Sequence, residues 1–120
     1  MLIPDSDLKV LEFLWKNGSC KASYIKKELE KEIGWSPNTT YTVLTRAVQK
    51  GLIKRSEPGF MCTPLVGRED VQTSSLIEIR KKLFDDSNLK LVKSLIDNHD
   101  FSDAEIKELY ALIDKEMRLK

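Results

Sequence analysis

The sequence holds a single histidine, His99, and only two cysteines, Cys20 and Cys62, which leaves little material for the converging reactive groups of a catalytic centre. His99 sits in the polar stretch Asp97-Asn98-His99-Asp100 with no second His or Cys at ligand spacing, so it reads as a solvated loop residue and no metal site is expected. The cysteines stand far apart and form no C-x-x-C, which argues against a disulfide scaffold or thiolate site and for a reducing compartment. No glycine-rich phosphate loop and no nucleophile elbow occur. Apolar runs are short of the roughly 18 residues a membrane span needs, and Met1 to Asp7 carries acids without Lys or Arg, unlike a secretory leader. These absences set aside enzymes, cofactors, integral membrane proteins and secreted precursors. A cytoplasmic binding protein is expected.

What is present is a chain of 120 residues, 41% apolar and 32% charged, enough for one compact unit or a small domain with an extension. The net charge of +1 is unevenly spread: residues 1–66 hold 10 Lys and Arg against 7 Asp and Glu, whereas residues 67–120 hold 10 against 12. A positive front half beside an acidic rear half suits a module whose first part meets a polyanion.

Hydrophobic spacing divides the front half into three helices and a hairpin. Leu8, Leu11 and Trp15 recur at intervals of three and four, predicting a first helix over about 5–17, capped by Asp5 or Ser6 and ended by Gly18. Ala22, Ile25, Leu29 and Ile33 define a second helix ending at Gly34, whose other face is Lys26, Lys27, Glu30 and Lys31. Trp35-Ser36-Pro37 is a helix-start signal, because Ser36 can accept from free amide donors and Pro37 lacks the donor that a first turn leaves unpaired. The third helix should run from Pro37 to about Lys50, with Thr40, Val43, Leu44, Ala47 and Val48 inward. Two β-type runs, Leu52 to Ser56 and Phe60 to Leu65, flank a Glu57-Pro58-Gly59 turn, and Pro64 predicts an edge strand. That order is a winged helix-turn-helix, placed in a first domain, 1–66.

The remainder, 67–120, reads as a separate helical domain. One helix covers about Arg68 to Phe84, with Leu76, Ile79 and Leu83 on one side; a second, Asn88 to Ile96, carries Val92 and Leu95. The last opens with Ser102-Asp103-Ala104-Glu105, a capping box, and shows a stripe of Ile106, Leu109, Tyr110, Ile113 and Met117. About 54 residues cannot cover so much apolar surface alone, so these positions are expected to meet a partner. The fold class is mainly α.

The third helix also carries the chemistry. A helix in a major groove needs polar side chains that reach base edges, few acids, and a buried opposite face that fixes its tilt. Here Asn38, Thr39, Thr42 and Arg46 lie outward, where solvent faces usually carry Glu or Lys, and Ser36 at the helix start is a phosphate seat. Lys50, Lys54 and Arg55 follow where backbone phosphates would pass. Lys21, Lys26 and Lys27 are further phosphate candidates, whereas Trp15, Trp35 and Tyr41 fit packing better than stacking on bases. The competing reading is a winged helix that docks onto another protein and no longer binds DNA. A small-molecule-sensing regulator of this fold is a third.

Val10-Leu11-Glu12-Phe13-Leu14-Trp15, Gly34-Trp35-Ser36-Pro37-Asn38-Thr39, Leu44-Thr45-Arg46, Lys50-Gly51-Leu52-Ile53 and Pro64-Leu65-Val66 together resemble the BlaI/MecI/CopY group of bacterial repressors, the penicillinase repressor family. The resemblance covers almost the whole chain. It implies a homodimeric repressor of β-lactam resistance genes, with an N-terminal winged helix on a dyad operator and interlocking C-terminal helices. It also implies induction by a protease linked to a membrane β-lactam sensor. Three departures stand out. The family's cleaved Asn-Phe is Ser94-Leu95 here; the wing is about two residues shorter and carries Glu57-Pro58-Gly59 at its tip; and the C-terminal C-x-C motifs of the copper-responsive branch are missing.

Overall fold

The computed structural model describes residues 2–120; Met1, with which the expected first domain begins, lies outside them. The order is α1 (Asp5–Asn17), β1 (Cys20–Lys21), α2 (Ala22–Ile33), α3 (Pro37–Gln49), β2 (Ile53–Ser56), β3 (Met61–Pro64), α4 (Arg68–Leu83), α5 (Asn88–Asp97) and α6 (Asp103–Leu119). The expected helices are all present, within a residue or so of their expected ends. The mainly helical class and the winged helix-turn-helix architecture hold.

The helix ends follow from their local chemistry. Gly18 ends α1 at φ +77°, its N–H donating to Leu14 O at 2.8 Å. At the other end the expected cap fails: Pro4 is the N-cap position, with no side-chain bond, and Asp5 and Asp7 lie within the first turn, where acids favour the helix dipole. For α3 the serine-proline signal is realised, since Ser36 Oγ accepts from the Thr39 N–H at 3.2 Å and Pro37 is the first helical residue.

Val10, Leu11 and Leu14 of α1, Ile25 and Leu29 of α2, and Val43, Leu44 and Ala47 of α3 meet in one core with Ile53 and Cys62 of the sheet. Burying each Leu or Ile contributes roughly 1.5–3 kcal/mol, so these few side chains dominate the stability of the module. Thr40 is also fully buried, and its hydroxyl has no hydrogen-bond partner among the described residues.

The sheet has three strands in the order β1-β3-β2, where a two-stranded hairpin was expected. Two residues are too short to show a periodicity, which is why β1 escapes a reading of the sequence. It places β3 in the centre, so Pro64 is not on an edge strand. Pro64 is tolerated because β1 pairs only with Met61 and Cys62. The Leu65 N–H donates to Leu52 O on the β2 side at 2.9 Å, so by alternation the donor that Pro64 lacks would point away from β2, where no β1 residue pairs with it.

Two compact units result, the first ending at Glu78 and the second spanning Ile79–Lys120. The junction falls inside α4, twelve residues beyond Val66. The physical reason lies in Trp15, whose indole N–H donates to Val66 O at 2.9 Å while the Arg68 guanidinium sits 4.9 Å from its ring centroid. Val71 is buried as well, so the start of α4 packs with the first unit.

The second unit has the opposite character. Neither α5 nor α6 holds a buried residue, although both are well capped: Ser87 accepts from Lys90 N–H, and Ser102 and Glu105 form the reciprocal box foreseen from the sequence. The Ser102 backbone and side-chain hydrogen bonds hold the Glu105 carboxyl below its ordinary value.

Candidate nucleic-acid interface

The outward face of α3 is Asn38, Thr39, Thr42, Thr45, Arg46 and Gln49, every one exposed, opposite the buried Thr40, Val43, Leu44 and Ala47. The alternation follows from the 3.6-residue period, which puts 38, 42, 45, 46 and 49 on one side. No acid occurs anywhere in the helix. Among the described residues no hydrogen bond or ion pair engages the side chains of Asn38, Thr42, Thr45 or Arg46, so their donors and acceptors are available to an incoming ligand. Thr39 differs, because its hydroxyl is 3.0 Å from Ser36 Oγ and shares the capping arrangement.

The basic residues beyond α3 fall into two groups. Lys54 is exposed on β2 with no partner among the described residues. Lys50 and Arg55 are already engaged. The Lys50 ammonium contacts Asp7 Oδ2 at 2.7 Å, and that carboxylate is almost wholly buried. Arg55 donates to Glu57 Oε1 at 2.7 Å and lies 3.8 Å from the Phe60 ring centroid. Glu57 also accepts from the Phe60 N–H, and these two bonds hold its carboxyl below the ordinary range, the Arg55 bond most strongly. The wing therefore carries an internally neutralised tip. Lys21, from β1, runs its side chain past that tip, its Cε 3.4 Å from where a Cβ at Gly59 would stand. The φ of +86° at Gly59 is what favours glycine there, since a side chain at that position would meet Lys21 only at ordinary contact distance.

One of these partnerships lay hidden in the sequence and the other did not. Asp7 and Lys50 are 43 residues apart, and nothing in the spacing of either marks the contact. Arg55, near the end of β2, and Glu57, in the turn that follows, stand only two residues apart, so their opposite charges are a local signal available in principle.

The expected dimer positions form a second surface. Leu83, Val92, Leu95, Ile106, Ile113 and Met117 are exposed, and Ile79 and Leu109 partly so. Leu76 is exposed too, on the first unit's share of α4. Within the second unit, Val92, Leu95, Ile96, Phe101, Ile106 and Ile113 line an apolar groove of about 520 Å³. No helix of the described residues is long and apolar enough to cross a membrane.

Three helices, a three-stranded sheet with a hairpin wing, and a bare polar face on the third helix define a winged helix-turn-helix protein. Residues 3–115 match the family model described as Penicillinase repressor, and the chain belongs to that family, a family of repressors rather than enzymes. It is similar to the penicillinase repressor of Bacillus licheniformis, 28% identical over 98% of this chain and 94% of that one. It is also similar to the methicillin resistance regulatory protein MecI of Staphylococcus aureus (strain N315), at 27% identity over 94% of each. Among solved structures it resembles the DNA-binding domain of the repressor BlaI, 36% identical, with a TM-score of 0.53 over 57% of this chain and 85% of that domain. The Bacillus licheniformis BlaI monomer in complex with the blaP half-operator is similar at 36% identity and a TM-score of 0.51.

Proposed function

We propose that this protein represses transcription by occupying a dyad operator as a homodimer, with α3 of each copy in a major groove. The observation that carries this reading is the exposed, acid-free face of α3, on which Asn38, Thr42 and Arg46 keep their polar groups unpaired. Arg46 is suited to a guanine edge or a phosphate, Asn38 to adenine, and the threonines to close approach and a thymine methyl. Ser36 and Thr39 stand at the positive end of the helix, where a phosphate would sit. Lys54 adds a free cation on the wing. Lys50 and Arg55 would join only by leaving Asp7 and Glu57.

The homodimer is supported by the second unit, whose apolar groove and exposed leucines, isoleucines and valine have no cover within the described chain. A symmetric pair would meet half-sites spaced by whole turns of about 10 bp. The blaP half-operator bound by a relative at 36% identity points to related regulatory DNA as the target. The family's proteolytic induction finds less support, because Ser94-Leu95 lies inside α5 and is not the family's dipeptide.

The test is an electrophoretic shift of the DNA upstream of the protein's own gene. Wild type should retard it, with a log-log salt slope of about −7 if a dimer contacts roughly 8 phosphates. Arg46→Ala should lose about 1–3 kcal/mol of operator binding while melting normally. No retarded band at low salt would overturn the reading in favour of a protein-docking wing.

A further inference from the structure

The two cysteines, 42 residues apart in sequence, are brought face to face by the sheet. Cys20 of β1 and Cys62 of β3 are direct partners in the antiparallel register. Directly opposed residues on antiparallel strands project to the same face, so both sulfurs lie on one side of the sheet. The Ala22 N–H donates to Phe60 O at 2.9 Å, and the alternation of ladder bonds then makes Cys20 and Cys62 a hydrogen-bonded pair too. Such pairs have Cα atoms about 5.5 Å apart, inside the range of about 4.4–6.8 Å that disulfides span.

The thiols are free and differ in access. Cys62 is fully buried and Cys20 partly so. Each sulfur lies near the carbonyl two residues back, Cys20 Sγ 3.2 Å from Gly18 O and Cys62 Sγ 3.6 Å from Phe60 O. Burial pushes the Cys62 thiol up to about 11, the neighbouring Cys20 adds to the rise, and Arg55 opposes it. Cys20 is raised as well, again by burial.

We propose that Cys20 and Cys62 form a reversible disulfide site that a hydroperoxide closes within the folded wing. The Cys20 thiolate, on the accessible side, attacks one peroxide oxygen; the O–O bond breaks, and the alcohol or water leaves with a proton. The Cys20 sulfenic acid is then attacked by the Cys62 sulfur, which loses its proton; the S–S bond forms, the S–O bond breaks, and water departs. Two thiols are oxidised and one peroxide is reduced. Raised thiol values make closure slow near neutrality and faster as pH increases, because only the thiolate reacts. The product ties β1, which leads directly into α2, to the central strand of the wing.

The experiment uses the full chain without DNA, so its outcome is separable from operator binding. Native protein is treated with hydrogen peroxide at mildly alkaline pH, then alkylated and weighed. Closure is expected to remove the mass of two hydrogens, leave no alkylatable thiol, keep single-chain mobility on a non-reducing gel, and reverse with dithiothreitol. The oxidised form should melt about 5 °C or more higher, since the bridge closes a long loop. Phenylarsine oxide, which needs two sulfurs within bridging distance, should give a one-to-one adduct with wild type and none with Cys20→Ser. Oxygen adducts on Cys20 with Cys62 still alkylatable would overturn the proposal, as would a bridge that forms only in denaturant or failure of the arsenical to bind wild type.

Discussion

The two units of this chain are built from comparable apolar material and use it in opposite ways. In the first, Val10, Leu11, Leu14, Ile25 and Leu44 are shielded almost completely by three helices and a sheet. In the second, α5 and α6 bury nothing, and eleven of the seventeen large exposed hydrophobics among the described residues fall within Ile79–Lys120. The difference teaches that helical periodicity identifies a face but not what covers it. A wing and three short helices close on themselves; two amphipathic helices beside part of a third cannot.

The sharpest way to break this contrast is a pair of truncations of the same kind. Leu11→Ala should destabilise the first unit by about 2–5 kcal/mol in urea unfolding, because its cavity cannot collapse. Leu112→Ala, on the solvent side of α6, should cost about 0.5 kcal/mol or less; equal losses would erase the distinction. Next in size, Ile113→Asp should drive the protein to monomers in sedimentation equilibrium and weaken operator binding about a hundredfold by loss of avidity, with the melting of the winged unit unchanged. Thr40→Val sharpens the contrast from inside the core. Replacing an unpartnered buried hydroxyl by a methyl should stabilise by about 1 kcal/mol in thermal denaturation.

The smallest effect concerns pH. The folded state holds the Glu105 carboxyl below its ordinary value of 4.5, so the stability it contributes is complete above that value and is lost as pH falls through the lower, folded one. Glu105→Gln keeps the capping geometry but removes that proton. Its melting temperature should therefore depend less on acid than that of wild type as pH is lowered through and below 4.5.

Local chemistry was legible in the sequence wherever one segment sufficed to determine it. Ser36-Pro37 started α3, Ser102 and Glu105 closed a box, and the outward side of α3 followed from its period. Contacts that depend on tertiary register were not legible. Asp7 meets Lys50 across 43 residues, and Cys20 meets Cys62 through a strand of two residues that leaves no pattern. Chain separation of the two cysteines spoke against a disulfide scaffold, and a sheet abolishes that separation; both are free thiols, yet they stand opposite each other in register. The compact first unit extends past Val66 to Glu78, and the start of α4 lies beside a ring on α1, Trp15, a contact that chain spacing does not mark.

That ring gives the molecule an optical gauge. An indole hydrogen-bonded to Val66 and flanked by a guanidinium emits according to whether both neighbours are seated, so the Trp15 spectrum reads the exit of the wing without any added label. Exchanging Trp35 for phenylalanine would leave it the sole tryptophan, to be excited selectively at the red edge beyond tyrosine absorption.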